Sequence, residues 1–351
     1  MNFKKALCIL LAMTMVFGLC ACGKKEEPHP DTRIFTDSLG REVEVPFDIE
    51  KIAVSGPLAQ ISCFALCPDK LVGIANAWNP EAENILDTKY YQLPELGQLY
   101  GGKGELNLET LLNSGAQVVI DVGEPKKTAK EDLDALQEQT GIPFVHITMH
   151  TDSMEQSYRK LGELVGMPEE AEQLAVYCEK IYNRTYEIAE KVEKVDLIYV
   201  VGKGQNVIAK DSYQSEVIDL LSNNLAVVDS PSSKGTGNEV DMEQILKWNP
   251  EYILCGEHST YEAVLSDSTW KTVDGAVKGN VYEVPIGPYN WMGFPPSVQR
   301  LLGMMWMAKL LYPEACDYDL YEEVKEYFSL FYHCELNKEL YDSLVANSIG
   351  K

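Results

Sequence analysis

Residues 167–196 read MPEEAEQLAVYCEKIYNRTYEIAEKVEKVD, and how the rest of the chain divides depends on what this stretch forms. Pro168 stands where a first helical turn accepts it, Glu169 and Glu170 complement the positive helix start, and Lys191 and Lys194 fall near the negative end. Leu174, Ile181, Ile188 and Val192, with Ala171, Ala175, Cys178 and Ala189 between them, keep an apolar stripe at near-helical period. Glu179, Lys180, Arg184, Glu187 and Glu190 take the other side. At ~1.5 Å per residue a helix of roughly 26 residues reaches about 40 Å, long enough to brace two small domains. A long helix also fits inside one domain, so the flanking sequence decides.

On both sides strand and helix patterns alternate. Before the long helix come a hairpin over Arg33–Val45 turning at Ser38-Leu39-Gly40, a strand over Lys51–Ser55, a helix over Leu58–Leu66 and a strand over Leu71–Asn76. Leu108–Ser114, Val118–Val122, Thr128–Thr140 and Pro143–Ile147 continue the rhythm. After it come Leu197–Val201, Ser215–Leu221, Ala226–Val228, Met242–Lys247, Tyr252–Cys255, Trp270–Val273 and Val281–Val284, then a terminal helical region from Ser297. Such alternation argues for parallel sheets covered by helices, so the expected class is α/β.

An internal echo supports two halves. Residues 107–120, NLETLLNSGAQVVI, align without a gap to residues 241–254, DMEQILKWNPEYIL. Each has an Asn or Asp cap, a short helix with Glu at its second position (Glu109, Glu243), and a turn into an apolar strand.

Ahead of these halves, Lys4 and Lys5 precede an apolar run, Ala6–Leu19, too short to span a bilayer comfortably. It ends Leu19-Cys20-Ala21-Cys22-Gly23 and resembles a bacterial lipoprotein signal, with Cys22 as the lipidated residue. Gly23-Lys-Lys-Glu-Glu-Pro-His-Pro30 has the composition of a tether. The expected organisation is a signal peptide over 1–21, a tether over 22–32, a first α/β lobe over 33–166, the connecting helix over 167–195 and a second α/β lobe over 196–351. Removing 1–21 takes away Lys4 and Lys5 and no acid, moving the net charge from −24 to −26. So acidic a chain is unsuited to nucleic acid, and to anionic lipid by charge; the expected membrane link is the lipid alone. Of the six later cysteines, Cys63, Cys67 and Cys255 lie on apolar patterns and read as small buried hydrophobes. A Cys316–Cys334 disulfide stays open.

Several segments carry a family resemblance: Asp37-Ser-Leu-Gly-Arg-Glu-Val-Glu-Val-Pro46, Pro68-Asp-Lys-Leu-Val-Gly-Ile-Ala75, Asn107-Leu-Glu109, Trp248-Asn-Pro250 and Pro295-Pro-Ser-Val-Gln-Arg-Leu-Leu-Gly303. In order and spacing they are similar to the solute-binding lipoproteins of ABC importers for iron chelates and cobalamin. Cys67 departs from the Gly that commonly ends the first helix, and Ser114-Gly-Ala-Gln117 from a Lys-Pro-Asp type of turn. The resemblance implies two Rossmann-like lobes with parallel sheets joined by one long rigid helix, class III periplasmic-binding-protein-like, with ligand in the cleft. It implies a lipid-anchored extracytoplasmic receptor that captures a ferric siderophore or similar metal chelate and delivers it to an ABC permease dimer with its ATPase subunits. Cobalamin, haem and molybdate or tungstate are the alternatives. It also implies docking through one surface Glu per lobe, matching Glu109 and Glu243.

Ligands in such folds sit outside the carboxyl ends of the strands. The loops there offer Ser55, Trp78, Tyr100, Lys103, Lys203, Tyr213, Lys234, Thr236, Tyr289 and Trp291 as ligand contacts: rings for flat apolar walls, lysines to neutralise an anionic chelate or oxyanion. Arg300, on a helix, reads as structural. The histidines are scattered, so no metal-ligand spacing arises and no bare metal or cofactor is expected. A chelatase-like enzyme would share the architecture, with His258 beside Glu257 to move protons, but there is no Gly-x-Ser-x-Gly, Walker loop or nucleophile paired to a base.

Overall fold

A computed structural model describes residues 30–100, 105–232 and 234–349. The expected signal peptide and Cys22 lie outside the described residues, as does Lys103. The chain opens with antiparallel β1 (Thr32–Thr36) and β2 (Glu42–Pro46), registered Arg33 to Val45. Asp37 closes the turn by accepting from the backbone N–H groups of Leu39 and Arg41, each at 2.9 Å. Arg41 then pairs with Asp37 at 3.0 Å and donates to the Phe144 carbonyl at 2.8 Å, pinning the hairpin to the first sheet.

That sheet is parallel, in the order β3 (Ile52–Val54), β4 (Val118–Gly123), β5 (Phe144–Thr148). The strand expected over Leu71–Asn76 is reduced to isolated bridges, Ile52 to Leu71 and Ile74 to Glu95. The segment crosses between neighbours: the Val72 N–H binds the Ile52 carbonyl, whereas Ile74 exchanges bonds with Pro94 and Leu96.

The second sheet is mixed, a correction to the all-parallel expectation. β6 (Asp196–Val201), β8 (Asn223–Asn224), β10 (Tyr252–Cys255) and β11 (Val281–Glu283) are parallel, whereas β7 (Asn206–Val207) and β9 (Asn238–Glu239) form an antiparallel edge. Positive φ at Gly202 and Gly204 turns β6 straight back into β7. No strand forms over Ala226–Val228, where Val227 is exposed.

The quoted stretch is a helix over Pro168–Lys191, 24 residues long, whose buried face includes Ala171, Leu174, Ala175, Cys178, Ile181 and Ile188. It packs most extensively on the helix Met154–Val165, which the sequence reading did not place, and also on Arg300–Leu311 and Glu216–Leu221. A Cβ at Gly162 would come within 2.2 Å of the Ala171 Cβ, so the first of these crossings needs that glycine. Arg184 grips Glu323 bidentately at 2.7 and 2.9 Å, tying the connecting helix to Leu320–Phe331. One apolar core runs from the first sheet past this helix to the second, through Phe64, Tyr158, Tyr199, Trp291, Trp306 and Phe331. The chain's end returns to its first half, with Leu320–Phe331 against Pro57–Leu66 and His333 Nε2 3.1 Å from the Phe64 carbonyl. All six described cysteines are free, so the Cys316–Cys334 bridge is not formed.

The echo is reproduced in three dimensions. Asn107 caps Leu108–Ser114 by accepting from the Thr110 N–H at 3.0 Å; Asp241 caps Met242–Trp248 by accepting from Gln244 at 2.8 Å. Leu111 and Ile245 are buried, and Gly115 and Asn249 end the helices with φ of 70° and 46°. The strands that follow, β4 and β10, sit between two parallel neighbours in their sheets.

Candidate functional site

The carboxyl ends of β6, β10 and β11 open into a cavity of about 480 Å³. Val201 and Gly202 leave β6 into it, Gly256 and Glu257 leave β10, and Ile286 and Asn290 come from the loop after β11. Gly256 cannot be larger: a Cβ there would lie 2.9 Å from the Val201 Cγ1 and 3.2 Å from the Tyr199 hydroxyl. Asn290, buried, fixes the loop. Its Nδ2 donates to the Gly256 carbonyl at 2.8 Å, and its Oδ1 accepts from the Tyr199 hydroxyl at 3.3 Å and the Met292 N–H at 3.0 Å. Phe294 follows, edge-on to Tyr199 at 5.7 Å, and closes one wall. Gly235 and Thr236 face it from the turn before β9, and the first lobe contributes Asn79. The positive φ of Gly237 and the Val207 carbonyl, 2.5 Å from where a Cβ would sit, hold that turn to glycine. The lining is more apolar than polar, with amide, hydroxyl and backbone groups set into it; Glu257 is its one charged side chain among the described residues.

A second cavity, about 680 Å³, lies where Tyr182 of the connecting helix meets both lobes. Glu124 and Asp152 line it from the first lobe, Asp211, Glu216 and Asp219 from the second, with Tyr213 between. Against it a fully buried arginine meets a partly buried carboxylate. Arg300 Nη1 donates to Glu216 at 2.7 Å and to Thr151 at 3.1 Å, and Nη2 donates to the Tyr213 carbonyl. Glu216 also receives the Thr151 N–H at 3.0 Å and lies 2.9 Å from His150 Nδ1. Burial alone would raise the Glu216 carboxyl; Arg300, Thr151 and His150 outweigh it and hold the group below its usual value. The Tyr213 hydroxyl donates to the Met149 carbonyl at 2.7 Å; burial pushes its pKa up to about 12, against the pull of Arg300. Arg300 is thus structural, as its sequence position suggests.

Of the residues singled out from the sequence, Thr236 lines the first cavity and Tyr213 the second. Lys203 and Lys234 are exposed, each next in sequence to a lining glycine, and neither lines the cavity. Tyr100 is half-buried and donates to Asp132 at 3.0 Å. Ser55 is buried and donates to Asp121, whose other oxygen lies 2.6 Å from His146 Nδ1. Trp78, Tyr289 and Trp291 are interior. The Trp78 indole donates to the Tyr90 carbonyl at 3.2 Å, the Tyr289 hydroxyl accepts from Gln60 at 3.0 Å, and the Trp291 indole donates to the Gly287 carbonyl at 3.3 Å. The flat wall expected of these three rings is supplied here by Phe294. Asn79, Asn206, Asn290 and Phe294 were missed; the Gly-Phe-Pro-Pro run after Asn290 was the available signal. His258, exposed, is held by Glu283 and Glu262, which raise its pKa, and lines neither cavity.

A two-lobed α/β chain with a strand-end cleft and a single bracing helix has the architecture of a class III solute-binding protein. Residues 65–286 match the family described as Periplasmic binding protein, and the chain belongs to that family. It is similar to the molybdate-binding protein MolA of Haemophilus influenzae, 23% identical over 334 residues that cover 86% of this chain and 91% of that protein. The solved structure of MolA bound to molybdate superposes with a TM-score of 0.71 at 20% identity, over 87% of this chain and 99% of that one. An ABC transporter solute-binding protein from Sulfurospirillum deleyianum gives 0.81 at 25%, over 90% and 99%. CeuE of Helicobacter pylori with a Ni-His complex gives 0.66 at 17%, over 90% and 99%. The protein is a solute-binding protein of an ABC transporter, and these relatives are transport proteins. No described helix is long and apolar enough to cross a membrane.

Proposed function

We propose that the protein captures a metal chelate, a ferric siderophore before others, and hands it to an ABC permease dimer driven by ATPase subunits, while Cys22 anchors it by lipid to the extracytoplasmic face. The cavity at the ends of β6, β10 and β11 carries the ligand reading. At about 480 Å³ it has the size of a small organic ligand's pocket, and a bare tetraoxyanion would leave most of it to water. Its neutral donors and apolar floor suit a ligand of low net charge, and the lone carboxylate of Glu257 opposes a free anion but tolerates a bound metal cation. Thr236, Asn79, Asn290 and Phe294 make the contacts; Lys203 and Lys234 steer at the mouth. Glu109 and Glu243 dock the loaded protein on the permease.

Molybdate or tungstate is the second reading, favoured by the likeness to MolA. Native mass spectrometry of protein purified with its ligand, followed by calorimetric titration with ferric catecholate and hydroxamate chelates and with molybdate, separates the two. Binding of molybdate with no response to any ferric chelate overturns the first. Metal and porphyrin substrates incubated with the protein are expected to remain unchanged. For the anchor, Cys22→Ser is expected to end incorporation of labelled fatty acid, and Cys20→Ser is not; label in the first variant removes the assignment.

A further inference from the structure

The alignment that matches Glu109 to Glu243 also matches Leu112 to Leu246, and both leucines face solvent, 52% and 39% exposed. A lone exposed leucine is ordinary. Repetition at matched positions is not: the exposed Leu265 and Val277 fall, at the same spacing, opposite Glu131 and Pro143. In each helix the acid and the leucine are three residues apart, so they share one face, while the second of the two residues between them, Leu111 or Ile245, points into the core. Neither carboxylate has an ion-pair partner among the described residues, and the surrounding chain is strongly acidic.

Each helix is joined by a short turn to the parallel strand after it and runs back against that strand's direction. Its capped start, with the glutamate, therefore lies at the carboxyl edge of its sheet, the edge on which the cleft opens. We propose that Leu112 and Leu246 complete the docking patches proposed above, so that each lobe presents the same epitope, an apolar knob beside its unpaired carboxylate. Its partner is a two-fold surface offering, at each of two sites, an apolar notch flanked by a basic side chain. Resting on the permease reading above, this makes the partner the permease dimer itself, with the carboxylates orienting the approach and the leucines slowing departure. A partner built from one asymmetric chain would have no reason to read the same pair in both lobes.

The test places a photo-crosslinking benzoylphenylalanine at Leu112 or at Leu246 of the full chain in its own cells. Both are expected to trap the same polytopic permease polypeptide, identified by mass spectrometry; two different polypeptides, or none from either position, overturn the epitope. In parallel, Leu112→Ser and Leu246→Ser are each expected to weaken binding to that importer, reconstituted in lipid nanodiscs, about tenfold, equivalent to about 1.4 kcal/mol, with ligand affinity unchanged. If the leucine variants bind as wild type while Glu109→Arg with Glu243→Arg abolishes docking, the inference fails and the docking reading stands. If neither pair of changes alters binding, both fail.

Discussion

The two lobes agree on the outside and disagree on the inside. Their outer helices match in cap, exposed acid, buried apolar residue, exposed leucine and left-handed C-cap, from Asn107 to Gly115 and from Asp241 to Asn249. Their strand ends, which should match equally well, do not. In the first lobe Ser55, Asp121 and His146 spend their polar groups on one another. In the second, Val201, Gly256 and Asn290 line the cavity, which among the described residues takes Asn79 alone from the opposite lobe. On the proposed function, the fold keeps its symmetry where it would meet a two-fold permease and loses it where it would meet an asymmetric ligand.

The strongest way to break this comparison is to invert the outer charges. Glu109→Arg with Glu243→Arg is expected to abolish uptake of the ligand by cells and stimulation of ATP hydrolysis, while melting temperature and ligand affinity stay near wild type. Each single change is expected to leave partial transport, since two contacts at fixed separation act together. Normal uptake by the double variant would reduce both glutamates to helix-start acids.

At the cavity where the lobes meet, the Arg300–Glu216 contact sets the next effect. Because the Glu216 carboxyl is held below its usual value in the folded protein, its contribution is present above about pH 4.5, the ordinary value, and is lost as pH falls through the folded one. Glu216→Gln leaves the buried guanidinium of Arg300 uncompensated and is expected to cost about 3 kcal/mol near neutral pH. The wild-type advantage in melting temperature should then shrink as the buffer is taken from pH 6 to pH 3. A constant difference across that range would show that the carboxyl does not titrate as its surroundings require.

The outer match was legible in the sequence because capping, first-turn acids and apolar period are local, and local chemistry leaves local traces. The connecting helix was legible for the same reason, its stripe from Ala171 to Ile188 surviving intact. The inner mismatch was not. Whether Trp291 faces a ligand or the core depends on which way the loop after β11 turns, and that is set by Asn290 reaching back to the Gly256 carbonyl, 34 residues away. Nothing local distinguishes an interior tryptophan from a cleft tryptophan. The helix Met154–Val165 carries the same kind of local trace, with Met154, Tyr158, Leu161 and Val165 buried at helical spacing.

Phe294 carries a prediction the sequence did not suggest. Phe294→Ala removes the ring that closes the cavity wall and is expected to weaken ligand binding by about 1 to 3 kcal/mol, if the ring is an anchor. Trp291→Ala, by contrast, should lower stability first, because it empties an interior site. Equal loss of affinity with no loss of stability in the tryptophan variant would place that side chain in the cleft after all.

The smallest effects test the inner asymmetry most directly, because two hydroxyls do it. Ser55 and Thr236 both stand at strand-end loops, and both were expected to touch ligand. The structure turns the first inward onto Asp121 and leaves the second on the cavity wall. A buried carboxylate that loses a donor keeps its desolvation, so Ser55→Ala is expected to lower unfolding free energy by about 1 to 3 kcal/mol with ligand affinity unchanged. Thr236 is exposed, so Thr236→Val should leave unfolding within about 0.5 kcal/mol of wild type. It should weaken binding by about 0.5 to 1.5 kcal/mol, the net value of one hydrogen bond to the ligand. Denaturant titration and calorimetry on the two variants give four numbers, and the comparison requires them to cross: stability lost in one lobe, affinity lost in the other. If Ser55→Ala weakens binding as much as Thr236→Val, the first lobe's strand ends reach the ligand too, and the asymmetry drawn between the inner faces does not hold.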